Sequence, residues 1–135
     1  MLPEILIVDD DPVMLRLYSR IFSGRDYAIT STGSLAAASA LINANHYDLL
    51  ITDLMLGDGL GTELALLFAK RAPCAKTLVV SGSLVEADNM DLSAVSECLS
   101  KPLDIDRFIE TISRVLKPPP EALGGAFPDK TTLPP

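Results

Sequence analysis

Five short apolar runs constrain this fold more than any other feature of the chain. Ile5-Leu6-Ile7-Val8, Tyr27-Ala28-Ile29-Thr30, Leu49-Leu50-Ile51-Thr52, Leu78-Val79-Val80 and a weaker Glu97-Cys98-Leu99-Ser100 are strand-length and lack the every-second-residue alternation of a half-solvated strand. Strands apolar on both faces need cover on both, the condition of a parallel sheet sandwiched between helices. Helical periods fall between the runs. Met14, Leu17, Tyr18, Ile21 and Phe22 repeat at helical spacing, with Pro12 suited to the first turn and Gly24 to the stop. Leu35, Ala38, Leu41 and Ile42 predict a second helix capped by Ser34, and Leu64, Leu67 and Phe68 a third that ends before Pro73. Ile105, Phe108, Ile109, Ile112, Val115 and Leu116 predict a last one with Asp104 as its N-cap, whereas Leu84–Ser96 has poor apolar spacing and predicts only a short, loosely held helix. Alternating strands and helices give an α/β fold: a five-stranded parallel sheet, doubly wound, with helices on both faces. Ligands of such sheets sit at the carboxyl ends of the strands, where strand order reverses.

Composition narrows the function. The chain has 135 residues, 48% of them hydrophobic, which fits one domain and excludes disorder throughout. Its net charge of -7 argues against a nucleic-acid or anionic-membrane surface and suits a cation or a basic partner. Met1-Leu2-Pro3-Glu4 carries no positive charge on its side chains, and Ile5–Val8 is too short for a signal segment or a membrane span, so a cytoplasmic protein is expected. Cys74 and Cys98 lack metal-ligand spacing and read as small apolar thiols. Prolines 118, 119, 120, 128, 134 and 135, with Gly124 and Gly125, mark residues 118–135 as a Pro/Gly-rich disordered tail or truncated linker and leave residues 1–117 as the folded module.

The residues that follow the runs carry the chemistry: Asp9, Asp10 and Asp11 after the first, Asp53 after the third, Ser81 after the fourth, and Lys101-Pro102 after the fifth. Each alone reads as an ordinary polar strand end. A doubly wound sheet with strands one and three adjacent brings all four to one cleft. Carboxylates within about 5 Å of one another repel by about 3 kcal/mol per pair at an effective dielectric near 20. Such a cluster needs a divalent cation or a raised carboxyl pKa. Mg²⁺, a hard cation, suits carboxylates, and no Cys or His lies there to attract zinc.

In order and approximate spacing, ILIVDDDP, LLITDLMLGDGLGTEL, LVVSGS and LSKP resemble the receiver domain of two-component response regulators, over residues 4 to 117. The resemblance implies a flavodoxin-like strand order, 2-1-3-4-5. It implies Asp53 as phospho-acceptor, taking a phosphoryl group from the phosphohistidine of a histidine kinase or phosphotransfer protein in a Mg²⁺-dependent reaction. Asp10 would bind the metal directly, Asp9 mainly through water, and the Met55 backbone carbonyl and Asp53 would complete its protein ligands. Ser81 would bond the phosphoryl oxygen, Gly82 would be the small residue beside it, and Lys101 would pair with the phosphoryl. Lys101-Pro102 would carry a cis peptide bond. Such a protein is a signalling phospho-acceptor with self-catalysed transfer and autodephosphorylation rather than a conventional enzyme. It signals through phosphorylation-dependent protein contacts, a dimer among them, with no nucleic-acid or membrane binding in this chain.

Three positions depart from the family. Gly57 stands where a proline is usual, in Gly57-Asp58-Gly59-Leu60-Gly61, which predicts a looser loop; its GxGxG spacing is not a dinucleotide fingerprint. Cys98 replaces the usual aromatic switch residue. Glu86, Asp88, Asp91 and Glu97 lie in a stretch between Lys76 and Lys101 without a base, either a solvated face or a docking surface for a basic partner. Two other readings stay open: a phosphorylation-independent pseudo-receiver adaptor, and a haloacid-dehalogenase-like phosphatase with Asp9 as nucleophile and Asp11 as general acid. His46, just before the third run, falls at the opposite edge from the cleft.

Overall fold

The computed structural model describes residues 2–117, apart from the side chains of residues 84–86; the tail predicted at 118–135 lies outside the described residues. In chain order the elements are β1 (Glu4–Val8), α1 (Pro12–Phe22), β2 (Ala28–Thr32), α2 (Leu35–Ala44), β3 (Leu49–Thr52), β4 (Met55–Leu56), β5 (Gly59–Leu60), α3 (Gly61–Arg71), β6 (Lys76–Ser81), a 3₁₀ helix (Leu84–Asn89), β7 (Glu97–Ser100) and α4 (Ile105–Leu116). The main sheet runs β2-β1-β3-β6-β7, all pairs parallel, which is 2-1-3-4-5 when only its own strands are counted.

The unbroken apolar runs now have their cause. Ile5, Ile7, Leu49, Ile51, Leu78 and Val80 face one side of the sheet and pack with Tyr18, Ile21, Phe22, Phe108 and Ile112 of α1 and α4. Leu6, Val8 and Leu50 face the other and pack with Ala38, Ile42, Leu64 and Phe68 of α2 and α3. Each fully buried side chain of this kind stabilises the fold by about 1.5–3 kcal/mol. Phe108 anchors an aromatic cluster on the first side, its ring 5.6 Å from that of Tyr18 and 5.9 Å from that of Phe22. The helix ends follow the sequence signals: the side chains of Asp11, Ser34 and Asp104 accept from the amides of Val13, Ala37 and Arg107, and Gly24 takes φ 76° after α1.

Two segments take forms that the sequence left unspecified. Leu84–Asn89 forms a 3₁₀ helix rather than an α-helix, because the segment supplies few core contacts: Ala87, Met90, Leu92 and Val95 form a small cluster with Leu54, Val79 and Cys98. The segment around the glycine-rich loop forms the antiparallel pair β4–β5, with Met55 opposite Leu60. None of the helices among the described residues is long and apolar enough to cross a membrane.

At the amino-terminal edge of the sheet, Asp48 ties three strands together. Its carboxylate accepts from the Glu4 amide at 2.8 Å and pairs with His46 at 3.0 Å, while its own amide donates to Glu4 O and its carbonyl accepts from Lys76 N. Its partial burial works against the charge, but the Glu4 amide and His46 outweigh that and hold its carboxyl below the usual range. Asp48→Ala should cost about 1 kcal/mol through the lost amide bond. A carboxyl depressed in the folded state contributes in full above its unfolded pKa, about 3.9, and loses that contribution as pH falls through the folded value. The difference between wild type and variant in urea unfolding should therefore hold constant from pH 7 to pH 5 and close only below about pH 4.

Candidate functional site

The site is built from the first residues beyond the strands, and sheet hydrogen bonds still hold them. The Asp9 amide donates to Thr32 O at 3.2 Å, the Asp53 amide to Val8 O at 3.1 Å, and the Lys101 amide to Ser81 O at 2.9 Å. Each ladder thus extends one residue past its strand. The positions of the three charged side chains are set by the register of the sheet rather than by loops.

Lys101 Nζ lies 2.9 Å from Asp9 Oδ2 and 2.9 Å from Asp53 Oδ2. Asp9 is fully buried, and its other oxygen accepts from the Asp11 amide at 2.9 Å. Both pKa values of the Asp9–Lys101 pair rise, which disfavours the charged form of Asp9 and favours that of Lys101. Burial pushes the Asp9 carboxyl up against the pull of the Asp11 amide and Lys101. Burial also works against the Lys101 ammonium, but Asp53 and Asp9 together outweigh it and raise its pKa. One cation is shared by two anions, so Lys101 gains two partners while the deeper Asp9 gains only a share of one.

Asp9, Asp10 and Asp53 each offer a carboxylate oxygen, all within 4.8 Å of one another, with Asp10 exposed to solvent. Hard oxygen donors in this number, with solvent access on the Asp10 side, fit Mg²⁺ with retained waters. His46 is outside this cluster, paired with Asp48 at the far edge. Met55 follows Asp53 by two residues at the start of β4, and its amide lies 3.4 Å from Asp53 Oδ1. Ser81 is buried at the end of β6, its hydroxyl oxygen accepting from the Ser83 amide at 3.3 Å, and a Cβ at Gly82 would meet nothing within 4 Å. The Lys101-Pro102 peptide is cis, as expected. Cys98 is a half-buried residue in the cluster with Leu54 and Val79, and burial pushes its thiol up; both cysteines are free.

Other features bear on the alternatives. The Asp11 carboxylate caps α1 through the Val13 amide at 2.9 Å, an occupation that counts against a general-acid role. Glu97 is drawn out of the acidic stretch by Arg114 of α4, a base that a scan between Lys76 and Lys101 misses because it arrives through the fold. Asp88 and Asp91 remain exposed.

Gly61 is a site residue whose importance the sequence alone understates. A Cβ there would stand 2.0 Å from Asp53 O, and the same carbonyl accepts from Thr52 Oγ1 at 2.9 Å. The Gly61 amide donates to Leu54 O at 2.8 Å, so the start of α3 lies directly against the acceptor segment. Gly61→Ala should destabilise the protein by about 1–3 kcal/mol in denaturant unfolding, since backbone must shift to admit the methyl. An unchanged midpoint would show that this approach is looser than the structure has it.

Comparison with known proteins agrees with the geometry. The family described as "Response regulator receiver domain" matches residues 5–113. The photosynthetic apparatus regulatory protein RegA of Rhodovulum sulfidophilum is 30% identical over 124 residues, covering 88% of this chain and 68% of RegA. The transcriptional regulatory protein GlrR of Escherichia coli (strain K12) is 28% identical over 116 residues, covering 84% of this chain but only 26% of GlrR. Among solved structures, a CheY-like response regulator receiver domain protein from Methanospirillum hungatei JF-1 superposes with a TM-score of 0.80 at 29% identity, covering 86% of this chain and 94% of that one. The response regulator TrrA of Thermotoga maritima, solved with Mg²⁺-BeF, shares the fold with a TM-score of 0.78 at 23% identity, over 84% of this chain and 99% of that one.

Proposed function

The chain belongs to the response regulator receiver family, whose members signal by phosphorylation of an aspartate, and on that basis we propose that Asp53 is the residue phosphorylated here. The observation that carries this reading is the Lys101 ammonium shared at 2.9 Å between Asp53 and the buried Asp9. It supports a site in which a fixed cation already stands where phosphoryl charge would accumulate.

In the proposed reaction an Asp53 carboxylate oxygen attacks the phosphorus of a partner's phosphohistidine in line. A P–O bond forms, the P–N bond breaks, and its electron pair returns to the imidazole. Lys101 transfers one contact from Asp53 to the phosphoryl oxygens and keeps the other on Asp9. Ser81 turns its hydroxyl from the Ser83 amide to donate to a phosphoryl oxygen, in the open space beside Gly82. Asp9, Asp10, Asp53 and the Met55 carbonyl would hold Mg²⁺, which supplies positive charge to the phosphoryl oxygens when bound. Asp9 already has both oxygens engaged by protein donors, which supports contact through water on its part. The partners in this reading are a histidine kinase or phosphotransfer protein upstream and a protein target downstream, met by contacts that phosphorylation changes.

Incubation with acetyl phosphate and Mg²⁺ tests the reading. One alkali-labile phosphoryl group per chain, lost when the metal is chelated beforehand, is the expected result. Absence of label and of any Mg²⁺ stabilisation would favour the adaptor reading. Steady hydrolysis of phosphomonoesters would favour the phosphatase.

A further inference from the structure

The loop between β3 and α3 is fastened to the helix on its other side. Asp58 Oδ1 accepts from the Leu35 amide at 2.8 Å and Oδ2 from the Ala36 amide at 3.0 Å, so one carboxylate spans the first turn of α2. These two amides hold its carboxyl below the ordinary range. Beside it, a Cβ at Gly59 would stand 2.5 Å from Leu35 Cδ2, so the loop backbone lies directly on the same helical turn. Leu56 is buried in the cluster that includes Leu35 and Ala38. The hairpin carries two contacts to the metal site, one at its open end and one in the turn beside Asp58. Met55 pairs with Leu60, and a Cβ at Gly57 would lie 3.5 Å from Asp10 Oδ2. A glycine where proline is usual leaves this segment without its own stiffening. The clamp on α2 supplies the constraint from outside.

We propose that Asp58 is a positioning residue for the phosphoryl-acceptor site, locking the β4–β5 hairpin to the start of α2 and so fixing the Met55 carbonyl and the face of the loop against Asp10. The inference rests on the reading of Met55 and Asp10 as metal ligands. Asp58 does not touch the metal; its effect passes through the hairpin. Because coupling is reciprocal, ordering of the hairpin by Mg²⁺ must tighten the two hydrogen bonds to α2. A cap that merely stabilised the helix would show no such response.

Amide hydrogen exchange at Leu35 and Ala36, measured by NMR with and without saturating Mg²⁺, tests this together with the Mg²⁺ dissociation constant from calorimetry. In the wild type Mg²⁺ should slow exchange at both amides. In Asp58→Ala both amides should exchange at least about tenfold faster, the Mg²⁺ response should vanish, and Mg²⁺ should bind about fivefold or more weakly. Asp58→Asn retains one acceptor oxygen and should recover most of the affinity. Ser34→Ala removes the other cap of α2 without touching the hairpin and should leave Mg²⁺ affinity unchanged. The proposal is overturned if Asp58→Ala binds Mg²⁺ like the wild type, or if Ser34→Ala weakens binding equally. It is also overturned if Asn and Ala at position 58 are equally weak and salt removes the difference, since that is charge acting through space. Absence of Mg²⁺ binding in the wild type itself would instead overturn the reading of the metal site on which the inference stands.

Discussion

Asp53→Asn should abolish phosphorylation by acetyl phosphate while leaving the fold intact. The substitution removes the attacking oxygen's charge and leaves an amide of nearly the same shape. Loss of a nucleophile that acts as part of a concerted unit costs at least about 10³-fold in rate, so residual labelling should fall below detection. Stability should change little, because two effects oppose each other. Lys101 loses one of its two anionic partners, while Asp9 and Asp10 lose a like charge within 4.8 Å. The Mg²⁺-induced rise in Tm should shrink, since one of three carboxylates is gone. Undiminished labelling of this variant would move the acceptor to another residue.

The second large effect is at Lys101. Lys101→Met keeps most of the apolar stem and removes the ammonium. Phosphorylation should slow by about 10²–10³-fold, the usual loss when a preorganised donor to developing charge is taken away. Stability should fall by about 3–5 kcal/mol in metal-free buffer, because Asp9 is left buried beside Asp53 with no counter-charge. Burial already pushes the Asp9 carboxyl up, and without Lys101 it rises further. A carboxyl raised in the folded state takes up protons on folding, so stability falls as pH rises from the ordinary carboxylate range through the folded value. The variant should therefore regain more stability than the wild type as pH is lowered toward the ordinary carboxylate range. Mg²⁺ should stabilise the variant more than the wild type, by replacing the missing positive charge. A variant as stable as the wild type at pH 8 without metal would show that Asp9 is not held as an ion.

The two-faced parallel sheet and the polar strand ends were legible because they depend on features that survive in one dimension, whereas the strand order came from the family resemblance. Continuous runs such as Ile5–Val8 demand two covered faces, and residues just past a strand inherit its register, as Asp9, Asp53 and Lys101 do. What the sequence did not carry is contact between segments distant along the chain. Asp58 reads as a turn acid, yet its partners Leu35 and Ala36 are more than twenty residues away. Glu97 reads as part of a bare acidic stretch until α4 brings Arg114 to it. Gly61 matches a family pattern, but its proximity to the Asp53 carbonyl emerges only when α3 docks. The Leu84–Asn89 turn was ambiguous for a local reason, since its apolar spacing selects no helical face. Cys98 packs as an ordinary strand residue beside Leu54 and Val79, at the position where the family resemblance implies an aromatic.

Chemical identification of the phosphorylated residue bears most directly on the central claim. Wild-type protein phosphorylated by acetyl phosphate in the presence of Mg²⁺ is reduced with borohydride, which converts an aspartyl phosphate to homoserine, and the product is mapped by peptide mass spectrometry. The expected result is homoserine at position 53 alone. Homoserine at position 9, or no conversion in protein that binds Mg²⁺, would contradict it.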